Sequence, residues 1–213
     1  MTKEIVTRNG IISYEEVQPT PGTKRINIET ARTNLLDLKA ILDKNNINFS
    51  LIYGTLLGAV RENNFIKHDE DTDLAMLDED KQKLLDILNE ILDIDFKILR
   101  YDGKLFSISR NNEYIDFYFF KKSNFLYRKC DIGLKVKSKY LENTKDYPFL
   151  GNTFKIPKNS EAFLVDLYGK NWRTPVEDVG PMDYDRYFIL RKKIRNASPL
   201  AFSVLSKLKK IFH

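Results

Sequence analysis

The sequence predicts a mixed α/β domain of the α+β class, because helix-like and strand-like segments alternate along a chain of 213 residues. Three observations carry this prediction. A stripe of apolar residues at helical spacing begins at Ile28, a hairpin pattern centres on Asp102-Gly103, and a strongly β-prone run, YIDFYFF, spans residues 114–120. The length suits one sizeable domain with a short extension.

The chain is expected to begin with a polar N-terminal arm and to continue into a helix. Residues 1–24 form the arm, which we expect to hold one short strand. From Ile28, apolar residues recur at positions 28, 31, 35, 38 and 42, on one face of a helix. The pair Asn45-Asn46 is a suitable end for this helix.

Two strands and a helix are predicted around Gly54. The aromatic and β-branched run at residues 49–53 is typical of a strand that Gly54 would end. The segment that follows is compatible with a helix, for which Thr55 would be the N-cap. The run Thr72–Leu77 is predicted to be a second strand.

Beyond this point the pattern continues as helix, hairpin and strands. Asp78 is placed to cap a helix that runs through Leu92, and residues 95–110 are predicted to form a hairpin. Further strands are expected near residues 132–136 and at residues 152–157.

Two helices complete the predicted chain. Residues 160–169 favour a helix that stops at Gly169, and residues 199–213 favour a basic amphipathic helix. The predicted organisation is therefore the arm at 1–24, a main domain at 25–195 and a C-terminal helix at 196–213.

Charge and composition exclude several classes of protein. The net charge of +5 fits phosphate-rich partners without choosing among nucleotides, nucleic acid and anionic membranes. Cys130 is the single cysteine, which excludes an internal disulfide and a cysteine zinc cluster. No run approaches the roughly 20 apolar residues of a membrane span, and the first residues lack the apolar core of a signal peptide. We expect a cytoplasmic protein of bacterial type.

Acidic residues crowd the start of the second predicted strand. Asp71 and Asp73 are two positions apart, so on a strand both side chains project to the same face. Two such carboxylates can share a divalent cation, and Mg²⁺ prefers hard oxygen ligands. The preceding glycine and helix N-terminus, at Gly54 and Thr55, could approach a phosphate.

Asp116 is the third candidate, because it lies in the middle of the apolar run at residues 114–120. A carboxylate buried there is costly unless something compensates its charge, and it could join the other two if its strand lies beside theirs. The alternatives are a solvated acidic loop for the cluster and a structural, hydrogen-bonded aspartate for Asp116.

The stretch YGTLLGAVRENNFIKHDEDTDLAM resembles the motif of the LicD/fukutin family: Gly-Thr-Leu-Leu-Gly, an Arg, a Phe-Ile pair and then Trp-Asp-Asp-Asp-Ile-Asp. The matching positions are Gly54, Thr55, Leu56, Leu57, Gly58, Arg61, Phe65-Ile66 and the run HDEDTD from His68 to Asp73. A second family pattern matches Pro157 and FLVDLYGKNWRTP at residues 163–175. His68, Glu70 and Thr72 depart from the family pattern, whereas Asp71 and Asp73 retain it.

The resemblance implies a polymerase-β-type nucleotidyltransferase fold, in which a small mixed sheet is flanked by helices and carries metal-binding acids on adjacent strands. It also implies transfer of phosphocholine or a polyol phosphate from a CDP-linked donor to a glycan of capsule, lipooligosaccharide or teichoic acid.

The same resemblance implies roles for individual residues. Asp71, Asp73 and Asp116 would hold Mg²⁺, or Mn²⁺ in its place, and Asp116 would also act as general base. Gly54 and Thr55 would cradle a phosphate. The remaining candidates for substrate binding are Arg61, Lys67, His68, Glu70 and Trp172, and for Lys67, His68 and Glu70 a solvated surface role is an open alternative.

Partners follow from the same reasoning. The acceptor glycan could be lipid-linked, and the helix at 199–213 could then lie on the inner face of an anionic membrane, or could simply dock on the domain. Nucleic acid is not expected, because the basic residues are scattered rather than striped. Two other functions remain open: transfer of a nucleotide to a small molecule or protein, and a catalytically silent binding subunit.

Overall fold

A seven-stranded sheet forms the centre of the protein in the computed structural model, which describes residues 2–19, 24–130 and 135–175. In chain order the elements of these residues are β1 (Thr2–Thr7), β2 (Gly10–Glu15), α1 (Ile28–Lys44), β3 (Ser50–Leu51), α2 (Tyr53–Glu62), β4 (Thr72–Leu77), a 3₁₀ turn (Asp78–Asp80), α3 (Lys81–Asp86), α4 (Leu88–Leu92), β5 (Lys97–Tyr101), β6 (Leu105–Arg110), β7 (Glu113–Lys122), β8 (Tyr127–Lys129), β9 (Lys135–Lys137), α5 (Ser138–Glu142), β10 (Thr144–Phe149), β11 (Asn152–Pro157) and α6 (Ser160–Tyr168).

The sheet has the strand order β3-β4-β7-β6-β5, with β8 and β9 added at the far end of β7. Strands β4 and β7 are parallel, and the other neighbours are antiparallel. The pairs β1–β2 and β10–β11 form two separate hairpins. The structure confirms the mixed α/β class predicted from the sequence, with helices flanking a central sheet.

The core forms where apolar side chains of the sheet meet α1. Leu35, Leu38 and Leu42 of α1 are fully buried, as the stripe at helical spacing predicts. Phe106 and Phe117 stack across β6 and β7, with ring centroids 6.0 Å apart. Burying side chains of this size stabilises the fold by about 1.5–3 kcal/mol each.

Helix α2 enters and leaves through backbone conformations that few residues adopt. Its first residue, Tyr53, has φ +46°, and Asn63, directly after its end, has φ +52°. Inside the helix, a Cβ atom on Gly58 would lie 2.5 Å from the carbonyl oxygen of Asn64. The chain therefore folds back against α2 at a distance that only glycine permits.

Several predicted elements are confirmed. Helix α1 begins at Ile28 and ends at Lys44, β4 spans Thr72–Leu77, and the hairpin around Asp102-Gly103 is formed by β5 and β6. Strand β11 lies at Asn152–Pro157, and α6 ends just before Gly169, whose φ is +84°.

Four predictions require correction. The arm holds a two-stranded hairpin instead of one strand, and the strand at residues 49–53 is reduced to Ser50–Leu51. The helix predicted from Asp78 to Leu92 instead begins as a 3₁₀ turn, so Asp78 is not its N-cap, and it is divided at Ile87 into two short helices. Thr55 does not cap α2: it lies inside the helix, and its hydroxyl instead accepts a hydrogen bond from the Asp73 N–H at 2.8 Å.

The helix predicted at residues 196–213 lies outside the described residues, as does most of the strand expected near 132–136. Contacts between residues group the chain into two compact units, with the boundary between Leu164 and Val165, inside α6. No helix of the described residues is long and apolar enough to cross a membrane.

We expect Gly58→Ala to lower the free energy of unfolding by about 2 kcal/mol or more, because the added methyl group would press on backbone atoms of residues 64 and 66 that cannot turn aside. Urea denaturation measures the change. Thr33→Ala, at an exposed position of α1, is the control and should stay within about 0.5 kcal/mol of the wild type. If the Gly58→Ala variant is as stable as the wild type, the close approach of residues 64 and 66 to position 58 is contradicted.

Candidate metal centre

Three carboxylates meet at the start of β4. One oxygen atom from each of Asp69, Asp71 and Asp73 lies within 4.8 Å of the other two. Asp73 is buried, whereas Asp69 and Asp71 are half-buried. The cluster therefore opens to one side and is closed on the other.

Local structure explains why these three side chains converge. Asp73 is on β4, and Asp71 precedes the strand by one residue, so the two-residue spacing puts both carboxylates on one face. Asp69 reaches the same place from the preceding turn, where its N–H donates to the Ile66 carbonyl and its carbonyl accepts from Ile26 at 2.7 Å. The Glu70 N–H then holds the Asp69 carboxylate at 3.0 Å.

Asp73 is anchored from three directions. Its carboxylate accepts a hydrogen bond from the Gly54 N–H at 3.0 Å and another from the Tyr118 hydroxyl. Its own N–H donates to the Thr55 hydroxyl. The first turn of α2 thus holds the aspartate that lies deepest in the cluster.

Gly54 is required at this position by the acids themselves. A Cβ atom there would lie 2.2 Å from a carboxylate oxygen of Asp69 and 3.3 Å from one of Asp73. A side chain at position 54 would therefore push the Asp69 carboxylate away from its place in the cluster.

Asp116 lies directly beside Asp73, because the two residues are register partners in the parallel pair β4–β7. Its carboxylate does not belong to the three-oxygen group, and it is bound by residues of β5 and β6, on the side of β7 away from β4. Arg100 donates to one oxygen at 2.9 Å, and the Ser107 hydroxyl donates to the other. Arg100 also donates to Ser107 at 2.8 Å, so these two residues of β5 and β6 clamp Asp116.

Burial and mutual repulsion raise the pKa values of the clustered acids. Loss of solvent, with the Asp73 and Asp116 carboxylates next in importance, raises the pKa of Asp71 well above its ordinary value. Loss of solvent is also the main cause at Asp73, whose pKa is raised well above the usual range, and at Asp69, whose pKa is raised to about 6. Burial raises the pKa of Asp116 too, but the Arg100 guanidinium opposes that rise.

These properties fit a divalent cation. The donor set consists of carboxylate oxygens, which Mg²⁺ and Mn²⁺ prefer, and the open side leaves room for phosphate oxygens or water in the same shell. A cation placed among the three carboxylates would remove the repulsion that raises their pKa values.

The other residues predicted to bind substrate lie in different surroundings. Arg61 is paired with its neighbour Glu62 at 2.5 Å, and Lys67 and His68 are exposed. Glu70 is half-buried beside Asp69. Trp172 is buried, and the guanidinium of Arg173 lies 4.3 Å from its ring centroid. Their roles in substrate binding stay predictions.

Sequence reasoning missed the groups that support the acids. Tyr118 lies two residues after Asp116 and therefore on the same face of β7, a spacing that could have identified it. Tyr53, which packs edge-on against Tyr118 at 5.0 Å, was assigned only to a strand. Arg100 and Ser107 carry no such signal, because their approach to Asp116 depends on the pairing of three strands.

A cavity of about 210 Å³ adjoins the cluster through Glu70 and Tyr114. Tyr114 is on the same face of β7 as Asp116, and its pKa is raised by burial and by the carboxylates of Asp71 and Asp116. The other described lining residues come from the arm, β5, β6 and the β6–β7 turn: Val17, Pro19, Lys24, Leu99, Ser109 and Asn112. The cavity is large enough for a small polar group next to the acids.

Comparison with known proteins places the acids within a matched domain. Residues 46–159 match the family model described as LicD/FKTN/FKRP, nucleotidyltransferase domain. An uncharacterised protein of Rickettsia prowazekii is 26% identical over 160 residues, which is 72% of this chain and 54% of that protein. One from Rickettsia typhi is 37% identical over 62 residues, 29% of this chain and 20% of that protein. This chain therefore spans about half the length of the curated relatives that it matches, or less.

Solved structures of antibiotic-modifying nucleotidyltransferases are similar at low identity. The solution structure of the resistance factor ANT(2'')-Ia has a TM-score of 0.48 and 14% identity, with 86% of this chain and 94% of that chain covered. The lincomycin-bound adenylyltransferase LnuA has a TM-score of 0.45 and 12% identity, with 62% and 83% covered.

Asp71→Asn should stabilise the metal-free protein at pH 7.5 by about 1 kcal/mol or more, since one pKa unit corresponds to about 1.4 kcal/mol. Folding raises the pKa of Asp71, so ionisation of its carboxyl begins to lower the free energy of unfolding as the pH rises above the ordinary pKa, and the cost is complete above the raised pKa. The cost disappears as the pH falls toward the ordinary value of 3.8. The variant's advantage, measured by urea denaturation in EDTA, should therefore vanish near pH 4.

Adding MgCl₂ at pH 7.5 should raise the Tm of the wild type and have little effect on Asp71→Asn, because the site has lost one anionic ligand. Asp93→Asn, at an exposed position, is the matched control and should behave as the wild type in both experiments. If the wild-type protein is more stable than Asp71→Asn in EDTA, repulsion among the clustered carboxylates does not destabilise the metal-free protein, and the prediction is wrong.

Gly54→Ala should weaken Mg²⁺ binding by about tenfold or more, because the methyl group would occupy the space of an Asp69 oxygen. Isothermal titration calorimetry with Mg²⁺ and Mn²⁺ measures the affinity. Gly103→Ala, in the β5–β6 turn, is the control: its φ of +84° makes the substitution lower stability, but the added Cβ meets no described atom within 4 Å, so the affinity of the folded protein should stay unchanged. Equal affinities for wild type and Gly54→Ala would refute the steric argument.

Proposed function

Since this chain belongs to the LicD/FKTN/FKRP nucleotidyltransferase family, we propose that it transfers an alcohol phosphate from a CDP-linked donor to a glycan hydroxyl. The alcohol phosphate would be phosphocholine or a polyol phosphate. The observation that carries this proposal is the convergence of Asp69, Asp71 and Asp73 beside Asp116. Phosphoryl transfer depends mostly on positioning and charge neutralisation, for which such an arrangement is suited.

The three clustered carboxylates would hold Mg²⁺ or Mn²⁺. When bound, the cation would supply positive charge to the donor diphosphate and would lower the pKa of a coordinated hydroxyl. Asp69 joins Asp71 and Asp73 in this proposal because its oxygen lies in the same group, whereas the Asp116 carboxylate is bound by Arg100 and Ser107.

Asp116 is suited to accept the proton of the attacking hydroxyl. The Arg100 guanidinium opposes the effect of burial on its pKa and so favours the ionised form, which a base requires. A carboxylate offers about four lone-pair positions, and Arg100 and Ser107 occupy two of them. Asp116 can therefore stay oriented by its neighbours while one oxygen accepts a proton.

Donor binding would fall to residues on the open side of the cluster. Lys67 and His68 are exposed next to Asp69 along the chain, where the Lys67 ammonium and an N–H of the His68 ring could donate to a diphosphate. Gly54 and Thr55 contribute by holding Asp73, and the amides of the first turn of α2 remain candidates for a phosphate contact. The 210 Å³ cavity beside Glu70 and Tyr114 could receive the alcohol or the ribose.

The decisive experiment identifies the product by mass. The protein is incubated with Mg²⁺, a glycan acceptor and CDP-choline, CDP-ribitol or CDP-glycerol in turn. We expect CMP release together with an acceptor that has gained the alcohol phosphate. An acceptor that gains a nucleotide would instead establish a nucleotidyltransferase. A folded protein that binds no nucleotide in the presence of Mg²⁺ would indicate a catalytically silent subunit.

Asp116→Asn should lower kcat by about 10²–10⁴-fold, the usual contribution of a general base, while keeping the Mg²⁺-induced rise in Tm. Asp71→Asn should lose both turnover and the Tm response, and Asp93→Asn should retain both. Turnover at the wild-type rate in the Asp71 and Asp116 variants would refute the assigned roles.

A further inference from the structure

The turn between β7 and β8 presents two large apolar side chains to solvent. Phe125 is 83% exposed and Leu126 is 55% exposed. We call residues 123–126 the β7–β8 tip. Isolated exposed apolar residues are common, whereas contiguous exposed apolar surface rimmed by polar residues marks interaction sites.

The β7–β8 tip is held in one conformation by its backbone. The Asn124 side chain accepts hydrogen bonds from the N–H groups of Leu126 and Tyr127, each at 2.9 Å. The Ser123 N–H donates to the Tyr127 carbonyl at 2.9 Å, and the Ser138 N–H donates to the Leu126 carbonyl at 2.8 Å. The exposure of Phe125 therefore belongs to a fixed turn.

Lysines form a row directly behind this tip. Lys121 of β7 is opposite Lys129 of β8, and Lys129 is opposite Lys135 of β9. All three are exposed, and none of them forms a salt bridge within the described residues. Like charges directly opposite each other destabilise a sheet, so this row favours an anionic partner.

Positive charge is concentrated in this part of the sequence. Residues 121–141 contain seven Lys and Arg residues and a single acid, Asp131, a larger excess than the net +5 of the whole chain. Arg128 is used internally, because it is buried and bound to Glu79 and Glu142. The charge available at the surface therefore comes from lysines.

We propose that the β7–β8 tip binds the surface of an anionic lipid bilayer, with Phe125 and Leu126 in the headgroup region and the lysine row against lipid phosphates. Apolar side chains flanked by lysines are the combination that such an interface accommodates. A nucleic acid would match the lysines but offer no apolar region to Leu126, and a stable protein interface needs far more buried area than two side chains provide.

The helix expected at residues 199–213 is another candidate for membrane binding, so the experiment must distinguish the contribution of the β7–β8 tip from that of this segment. The full-length protein is floated with vesicles of phosphatidylglycerol and phosphatidylcholine, and with phosphatidylcholine vesicles alone. We expect binding to the anionic vesicles only, and a loss of about tenfold or more in partitioning for Phe125→Ser/Leu126→Ser.

The matched control is Val6→Ser/Ile11→Ser. These residues are a cross-strand pair on the β1–β2 hairpin and are 70% and 62% exposed, so the variant removes similar apolar surface elsewhere. It should bind vesicles as the wild type does. Both double variants should keep the wild-type Tm and its rise on addition of Mg²⁺, which shows that each is folded.

Charge is tested with Lys121→Gln/Lys129→Gln/Lys135→Gln, which should weaken binding and flatten its dependence on NaCl concentration. The proposal is overturned if Phe125→Ser/Leu126→Ser binds vesicles as well as the wild type. It is also overturned if the wild type fails to bind anionic vesicles, or if it binds a soluble polyanion with an affinity that the loss of Phe125 and Leu126 leaves unchanged.

Discussion

Mutual repulsion among three carboxylates is the constraint around which the local structure of this protein is organised. Asp69, Asp71 and Asp73 bring their oxygens within 4.8 Å of one another at the start of a buried strand. The need to hold these three carboxylates close together explains several unusual features nearby. Tyr53 adopts a left-handed conformation so that the next N–H can reach Asp73, and the Thr55 hydroxyl serves the same aspartate instead of capping its helix. Such backbone strain persists only where surrounding structure supports it, and it is concentrated at functional sites.

The neighbouring acids have different electrostatic environments even though they lie on paired strands. The cluster of three lacks a bound basic side chain within the described residues, so burial and repulsion raise its pKa values together. Asp116 is bound by Arg100 and Ser107, which oppose the effect of burial. Environments that separate the pKa values of nearby carboxyl groups are typical of sites where one acid binds a ligand and another moves a proton. The arrangement of β5, β6 and β7 therefore assigns different chemistry to residues of the same type.

Much of the architecture could be predicted from the sequence, because its signals are local. The apolar stripe of α1, the Asp-Gly turn between β5 and β6 and the two-residue spacing of Asp71 and Asp73 depend only on residues close in the chain. The division of the helix at Ile87 and the second strand of the N-terminal hairpin were not predicted, because packing against other elements decides them. The clamp on Asp116 was missed for the same reason: a buried acid requires compensation, but the sequence does not distinguish a cation from the guanidinium of Arg100, sixteen residues away.

Strand β7 connects two regions that have different chemistry. Asp116 lies near its beginning, Lys121 lies near its end, and the exposed Phe125 follows in the turn after Lys122. Lys122 lies six positions after Asp116 along the extended strand, a distance of about 20 Å. If the far end rests on a bilayer, the reacting groups stand clear of the lipid by up to this length. Acceptors whose hydroxyl projects well beyond the headgroup layer would then be selected over short lipid headgroups, so strand length would act as a filter on acceptor size.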